Sequence, residues 1–350
     1  GCDYDGAVPD VLILGGTVFV GKHTVEAFLH DGWTVTILNR GHTPGDLPPG
    51  VRRLVADRTD PAQLEAVLRG RTWDAVVDVS GFVMVAGSPT DAVGPLLDLL
   101  DGNTGRYIFV SSIAAYAQIG VMPWVETGPR NPEPSTTYGG FKVAVENEVH
   151  RRYVDHGFPG CTVRPAAIYG PDNNIFDMET PMFLRLLHGR PILLPHEGMV
   201  TCNYGHVDDL ADAIVALATH PSAPGEIFNV SAEAVTSRRY VDELAAIVGT
   251  EARIVEVPRS AVRKLPAKPL PYGHLFAERH HGVISIEKIG RICGIRPTYD
   301  FRRGHEHTYE WFRSRGWADL NHNLKDPVWS ASWDFDLEAS VVARLAEGSL

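Results

Sequence analysis

The sequence predicts an α/β fold built on a parallel sheet covered by helices on both faces. Three observations predict it. Buried-strand patterns alternate with helical patterns through the first half of the chain, and the first strand runs straight into a glycine-rich turn that opens a helix. The chain has 350 residues, 44% of them apolar, enough for one large core or two modest ones. Strands alternating with helices at this rhythm imply right-handed βαβ units.

The elements follow in order. Val11–Leu14 is a short apolar run ending in glycines, and His23–Leu29 carries apolar residues at helical spacing. Thr34–Leu38 and Arg53–Ala56 predict the second and third strands, and Leu64, Val67 and Leu68 mark a helix after them. Ala75–Val79 and Tyr107–Val110 are two more buried strands. A long helix is predicted after Tyr138, through Lys142, Val145 and Val149, then a strand at Thr162–Val163. From Asp172 the pattern turns irregular and proline-rich. It returns to a helix at Asp208–Ala218, with Asp208 or Asp209 as its cap, a strand at Ile227–Val230 and a helix at Tyr240–Val248. Prolines and basic residues dominate Arg253–Gly273, which suits loops and short elements over a cleft. Tyr309, Trp311 and Phe312 share a helical spacing and are expected in the core. The tail beyond Trp317 holds Trp329, Trp333 and Phe335, and is expected to pack on the body because exposed tryptophans are costly in water. No internal repeat is visible.

Several classes are excluded at this level. The net charge is −11 and the pI near 5.7, and no Lys/Arg run forms a phosphate-neutralising stripe, so no nucleic-acid partner is expected. Cys2, Cys161, Cys202 and Cys293 are scattered without CxxC spacing, which indicates neither a disulfide framework nor a zinc site and fits a reducing, cytoplasmic compartment. The pairs His280-His281 and His305/His307 lack carboxylates at ligand spacing, so no metal is expected. No apolar run approaches the roughly 20 residues that span a bilayer, and no signal peptide is visible. Gly1 is not a natural start, and the natural beginning is expected elsewhere.

The glycine turn reads Gly15-Gly16-Thr17-Val18-Phe19-Val20-Gly21. Glycines let the backbone turn tightly and approach a pyrophosphate, while the helix N-terminus offers free N–H groups to the phosphates. The strand before it and the helix after it turn a weak motif into a dinucleotide-site candidate. The second strand ends at Leu38-Asn39-Arg40-Gly41. A carboxylate near here would hold a ribose 2′-hydroxyl, whereas Asn39 and Arg40 suit a 2′-phosphate. The expectation is NADP(H) in preference to NAD(H). Asp57, after the third strand, is a candidate for the adenine amino group or for a helix cap.

Tyr138-Gly139-Gly140-Phe141-Lys142 places a phenol and an ammonium at i and i+4 on one helix face. A free tyrosine has a pKa near 10, and making it a base at neutral pH takes about 4 kcal/mol of differential stabilisation. A fixed ammonium one turn away, with a positive nicotinamide ring, is expected to supply it. Tyr138 would then accept or donate the hydroxyl proton of a substrate. Ser112 ends the strand Tyr107–Val110 at the carboxyl edge, where ligands sit in open α/β sheets.

These residues resemble extended short-chain dehydrogenases/reductases of the NAD-dependent epimerase/dehydratase family. The resemblance covers roughly residues 10 to 316. It rests on Gly15–Gly21, Asp57, Asp78-Val79-Ser80-Gly81, Ser111–Ala117, Tyr138–Lys142, Arg164–Pro171, His206–Leu210 and Phe228-Asn229-Val230, in that order. It implies a Rossmann-type doubly wound sheet (10–171 and 206–232), a small C-terminal α+β substrate domain (172–205 and 233–317) and a packed tail (318–350). It implies Ser112, Tyr138 and Lys142 as the catalytic triad, with Lys142 also on the nicotinamide ribose. Gly15, Thr17, Phe19, Val20, Gly21, Asn39, Arg40, Asp57, Ser80, Gly81, Ser111, Pro165, Ala167 and Ile168 would bind the cofactor. Phe82, Ala114, Asn173, Asn174, Tyr204 and Arg279 would meet a sugar-like substrate. The resemblance also implies a homodimer through the helices around Leu96–Leu100 and Tyr138–Val149.

Two departures sharpen the expectation. Val18 stands where typical members carry glycine, and would crowd a pyrophosphate. Sugar-nucleotide 4,6-dehydratases carry Thr-Asp-Glu where this chain reads Ser112-Ile113-Ala114, so the acid and base that eliminate water are missing. Hydride transfer at a secondary alcohol or ketone remains, as an epimerase on a sugar nucleotide, nucleoside or related metabolite, or as a ketoreductase of a specialised metabolite. The Gly-Gly-Thr-x-Phe-Val-Gly string followed by Asn-Arg-Gly looks like an atypical branch that includes chloroplast RNA-associated proteins. A non-catalytic scaffold is therefore the rival reading.

Overall fold

Strands four to six residues long, most of them largely apolar and buried, form a seven-stranded parallel sheet in the computed structural model. The structure describes residues 8–42, 47–79, 89–117, 121–131, 137–174, 178–262, 264–265, 281–319 and 335–350, without the side chains of 89–92. The chain divides into two compact units. The first comprises Gly1–Ala166, Val207–Ser231 and Ile284–Thr298, and the second Ala167–His206, Ala232–Val283 and Tyr299–Leu350. These boundaries differ from the expected ones: residues 167–171 fall in the second unit, the tail is not separate from that unit, and Ile284–Thr298 falls in the first unit, where Lys288 donates to the Ile227 carbonyl at 2.7 Å.

In the first unit, β1 (Asp10–Leu14) leads through α1 (Phe19–His30) to β2 (Thr34–Asn39) and β3 (Arg52–Val55). Helix α2 (Pro61–Leu68) then leads to β4 (Ala75–Asp78), α3 (Pro89–Leu100) to β5 (Tyr107–Val110), and α4 (Tyr138–His156) to β6 (Gly160–Pro165). After a stretch in the other unit, α6 (Val207–Thr219), β10 (Ile227–Val230) and α9 (Glu287–Cys293) complete it. The strand order is β10-β6-β5-β4-β1-β2-β3, all parallel. The chain reverses its winding between β1 and β4, and that switch point opens a crevice at the carboxyl edge.

Local chemistry sets the helix ends. Asp60 caps α2 by accepting from the Ala62 and Gln63 amides, with Pro61 at the first helical position. Thr137 caps α4 by accepting from the Gly140 amide, and Gly157 ends it in the left-handed conformation. Asp208 and Asp209 both lie in the first turn of α6. Asp208 pairs with His23 at 2.6 Å, and Asp209 accepts from the Thr298 amide at 2.7 Å. Leu96, Leu97 and Leu100 are buried with Phe141, Val145 and Val149 of α4 in one cluster beneath the sheet.

In the second unit, β7 (Ala167–Tyr169), β9 (Thr201–His206) and β11 (Ala234–Thr236) form a three-stranded sheet. A parallel pair joins β8 (Pro191–Pro195) to β12 (Arg253–Val257). Helices α5 (Glu179–Leu187), α7 (Ser237–Val248) and α10 (Phe301–Ser314) bury Tyr169, Phe183, Tyr204, Tyr240, Phe301 and Phe312. Tyr309 and Trp311 pack against that cluster, as their spacing predicts. Where the sequence suggests irregular structure from Asp172, the structure adds α5, β8 and β9; from Arg253, where it suggests loops and short elements, the structure has the five-residue β12. Their strands are short, proline-flanked or polar, so alternation does not reveal them. Trp329 and Trp333 lie outside the described residues. Phe335 opens α11 (Phe335–Ala346), where Arg190 lies 3.7 Å from its ring. Buried Glu338 of α11 pairs with buried Arg185. The short helix α8 (Arg259–Val262) contributes Ala261 to the small cluster under α11.

Candidate active site

The first unit carries the site at the carboxyl ends of β1, β2, β4 and β5. Gly15 and Gly16 take φ of +113° and +87°, open to glycine and strained for other residues. A Cβ on Gly16 would lie 2.7 Å from Ile37 Cγ2, and one on Gly21 would lie 2.6 Å from the Gly16 nitrogen. The departure at Val18 costs the backbone nothing. Its φ of −138° is extended, its side chain is 42% exposed, and the left-handed conformation falls instead on Phe19, at φ +38°. Helix α1 has no side-chain cap, which leaves its first N–H groups as donors for an anion. Val20 gives its carbonyl to the Thr24 hydroxyl at 2.7 Å, and Thr17 is half-buried in the turn.

At the end of β2, Asn39 Oδ1 accepts from the Gly41 amide at 2.9 Å, while its buried Nδ2 has no hydrogen-bond partner. Arg40 is exposed beside it. Asp57 accepts from the Thr59 amide and hydroxyl. These bonds, and after them the Arg40 charge, hold its carboxyl below the usual range. Asp57 thus closes a turn of its own chain and does not cap α2. The bare glycine turn, the uncapped α1 and the orphaned Asn39 amide together fit a dinucleotide.

Ser112 follows β5 and opens a single 3-10 turn, Ile113–Ala115, accepting from the Ala114 amide at 3.1 Å. Tyr138 opens α4 next to it. Gly139 lets the two approach, because a methyl there would collide with the Ala114 carbonyl oxygen. Tyr138 is 43% exposed and hydrogen-bonds with the Ser112 side chain. Lys142, one turn on, is 3% exposed. Its ammonium donates to the Val110 carbonyl at 2.8 Å and lies 5.0 Å from the Phe109 ring centre and 5.4 Å from that of Tyr138. The structure thus brings Ser112, Tyr138 and Lys142 together.

The expected phenolate rests on Lys142 together with a positive nicotinamide ring; the electrostatics here are those of the protein alone. Burial pushes the Tyr138 pKa up, against a smaller opposing effect of the Ser112 hydrogen bond. Burial also lowers Lys142, to about 8. The ammonium is turned onto Val110, and desolvation penalises both charged forms. In the protein alone, the pair holds a neutral phenol.

Several other expected ligands are placed as follows. The Ser111 hydroxyl, assigned to cofactor, donates to buried Glu146 at 2.6 Å. Tyr204, assigned to substrate, is buried against Tyr240 at 5.1 Å between ring centres. Asn173 is buried and donates to Glu179 at 2.9 Å, whereas Asn174 is exposed. Pro165 ends β6 in the interior. Ala167 and Ile168 are half-buried in β7, and Ala114 is half-buried in its turn. Ser80, Gly81, Phe82 and Arg279 lie outside the described residues.

Residue-type reasoning missed a polar scaffold under the site. Glu146 is paired bidentately with Arg164 at 2.9 and 2.6 Å. Arg164 lies 4.5 Å from the Tyr116 ring centre, and the Tyr116 hydroxyl donates to Asn229 at 2.7 Å. Asn229 in turn donates its amide N–H to Glu126 at 2.9 Å. The available signal was a charge inside a buried pattern, since such a charge requires a partner.

The model of the family described as "NAD dependent epimerase/dehydratase family" matches residues 11–231. The chain belongs to that family. Among relatives of the epimerase/dehydratase chain, a chloroplast stem-loop binding protein of 41 kDa from Arabidopsis thaliana is 28% identical, over 87% of this chain and 80% of its own. A 2'-dehydrokanamycin reductase from Streptomyces kanamyceticus is 26% identical, over 84% and 81%. The solved UDP-glucose 4-epimerase of Thermotoga maritima shares the fold with a TM-score of 0.71 at 20% identity, over 87% and 99% of the two chains. Solved epimerases and dehydratases of this kind share the Rossmann sheet found here.

Proposed function

We propose that this protein is an NAD(P)-dependent oxidoreductase acting at a secondary alcohol or ketone carbon of a sugar-like metabolite, such as a sugar nucleotide or nucleoside. The observation that carries this reading is the convergence of Ser112, Tyr138 and Lys142 at the carboxyl end of β5. Family membership supports it, as does the reductase relative. A bound nicotinamide dinucleotide would supply or take up the hydride, held by the glycine turn, the α1 N-terminus and Asn39. Arg40 at the end of β2 favours a 2′-phosphate, hence NADP(H).

The residues of the chain do the proton chemistry. Ser112 donates a hydrogen bond to the reacting oxygen and orients it. Tyr138, a neutral phenol in the protein alone, donates its proton to that oxygen as negative charge develops there. Lys142 stabilises the phenolate left behind. A neutral phenol at rest is set for the reductive direction. Ala114 offers no acid where a dehydratase needs one, so water elimination is not supported.

The test is incubation of the purified chain with 4-deuterated NADPH or NADH and a panel of 4-keto and 4-hydroxy sugar nucleotides, nucleosides and aminoglycoside ketones. Deuterium in the product supports the reading, and deuterium in no product under any pairing overturns it.

A further inference from the structure

Asp78 ends β4 with its carboxylate fully buried. Arg58, arriving from the β3 side of the sheet, grips it with two hydrogen bonds of 2.5 and 2.8 Å. The Tyr107 hydroxyl donates to it at 2.8 Å, and burial followed by the Asp78 charge pushes the Tyr107 pKa far up, so that hydroxyl stays a donor. On the other side, Asp78 is the register partner of Phe109, whose ring lies 5.0 Å from the Lys142 ammonium. The carboxylate is therefore bonded to Arg58 on one side and, as the register partner of Phe109, lies on the face of the sheet where the Lys142 ammonium sits over the Phe109 ring.

An ammonium that is dry apart from one carbonyl needs a negative neighbour to stay charged. Two carboxylates serve. Glu146 lies one turn along α4, but its charge is matched by the bidentate Arg164 and by Arg130 at 4.0 Å. Asp78 acts more strongly on Lys142 than Glu146 does, and Arg58 opposes it with a smaller effect. Tyr138, the remaining titratable neighbour on α4, is neutral at rest.

We propose that Asp78 is a positioning residue that holds Lys142 as an ammonium at the end of β5, with Arg58 setting how strongly it does so. The proposal rests on the reading of Lys142 as part of the proton-transfer group. It assigns a role to a carboxylate and an arginine that touch neither substrate nor cofactor.

The test follows the Lys142 titration directly, in the cofactor-free full chain labelled with 13C at the lysine ε carbon. The chain has six lysines, and the Lys142 signal is identified by its loss in Lys142→Met. The midpoint in the unaltered protein is expected at about 8. Asp78→Asn removes the attraction and leaves the Arg58 repulsion, so the midpoint falls by about half a pH unit or more. Arg58→Gln raises it. The double variant Asp78→Asn/Arg58→Gln removes the buried pair together, avoiding an unmatched buried charge, and lowers the midpoint by a smaller step. The alkaline limb of turnover should move in the same directions. A midpoint unmoved or raised in the folded double variant overturns the proposal, even if Asp78→Asn alone does not fold. Shifted midpoints in a protein without turnover would uphold the placement of Asp78 and overturn the enzymatic reading instead.

Discussion

Replacing Lys142 by methionine should stabilise the cofactor-free protein while removing its turnover. The magnitude follows from burial. The lysine pKa is lowered from 10.5 to about 8, which corresponds to about 3 kcal/mol for holding the ammonium in a dry site. Methionine is unbranched, fills a similar volume and packs well against Phe109. Against this stands the lost hydrogen bond to the Val110 carbonyl, worth about 1 kcal/mol. The net gain is about 2 kcal/mol at pH 7, a rise of several degrees in melting temperature. The pH dependence has a definite sign. Because the folded-state pKa lies below the unfolded one, the unfolded wild type holds more protons between pH 8 and 10.5. Wild-type stability therefore rises across that window relative to the variant, and the advantage of methionine shrinks and then reverses. Urea unfolding of both proteins at pH 7 and pH 10 reads this. A variant less stable than wild type at pH 7, or an advantage unchanged at pH 10, would refute the reasoning.

Other consequences follow from the same geometry. Gly139→Ala drives a methyl into the Ala114 carbonyl and should destabilise the fold by about 1–3 kcal/mol; at temperatures where the variant stays folded, turnover should still fall at least tenfold, measured against its melting curve. Arg164→Leu leaves Glu146 buried without its bidentate partner, and denaturant unfolding should show a loss of about 3–5 kcal/mol. Arg40→Asp should weaken NADPH binding at least tenfold and leave NADH binding within threefold, as measured by fluorescence titration, because it replaces the cation that suits a 2′-phosphate with a repelling carboxylate.

The strands of the first unit were legible because parallel strands buried on both faces read as apolar runs. Val11–Leu14, Tyr107–Val110 and Ile227–Val230 each lie within a residue or so of the observed strands. The glycine turn and the Tyr138–Lys142 spacing were legible because each depends on local geometry: a positive φ at Gly16, and one helical turn between two side chains. Strands such as Pro191–Pro195 and Thr201–His206 were not, because pairing partners distant in sequence decide them. The same limit applies to the site. Ser111 and Ser112 are adjacent hydroxyls, and only the position of Glu146, on a helix packed behind β5, sends one into the interior. Likewise Asp78 reads as the end of a strand until Arg58, in the turn after β3 and so three places along the sheet, supplies its partner. The sequence also shows the ammonium four residues from Tyr138 but not the burial that raises the phenol's pKa in the protein alone.

The most direct test of the account is Tyr138→Phe, examined for dinucleotide binding and for turnover together. In the proposed reaction the phenol hydroxyl supplies the proton, and Tyr138 lies outside the glycine turn, so the variant should bind NADPH within about threefold of wild type while turnover falls by about 100- to 10,000-fold. Undiminished turnover in a protein that binds dinucleotide normally would contradict the assignment of proton transfer to Tyr138.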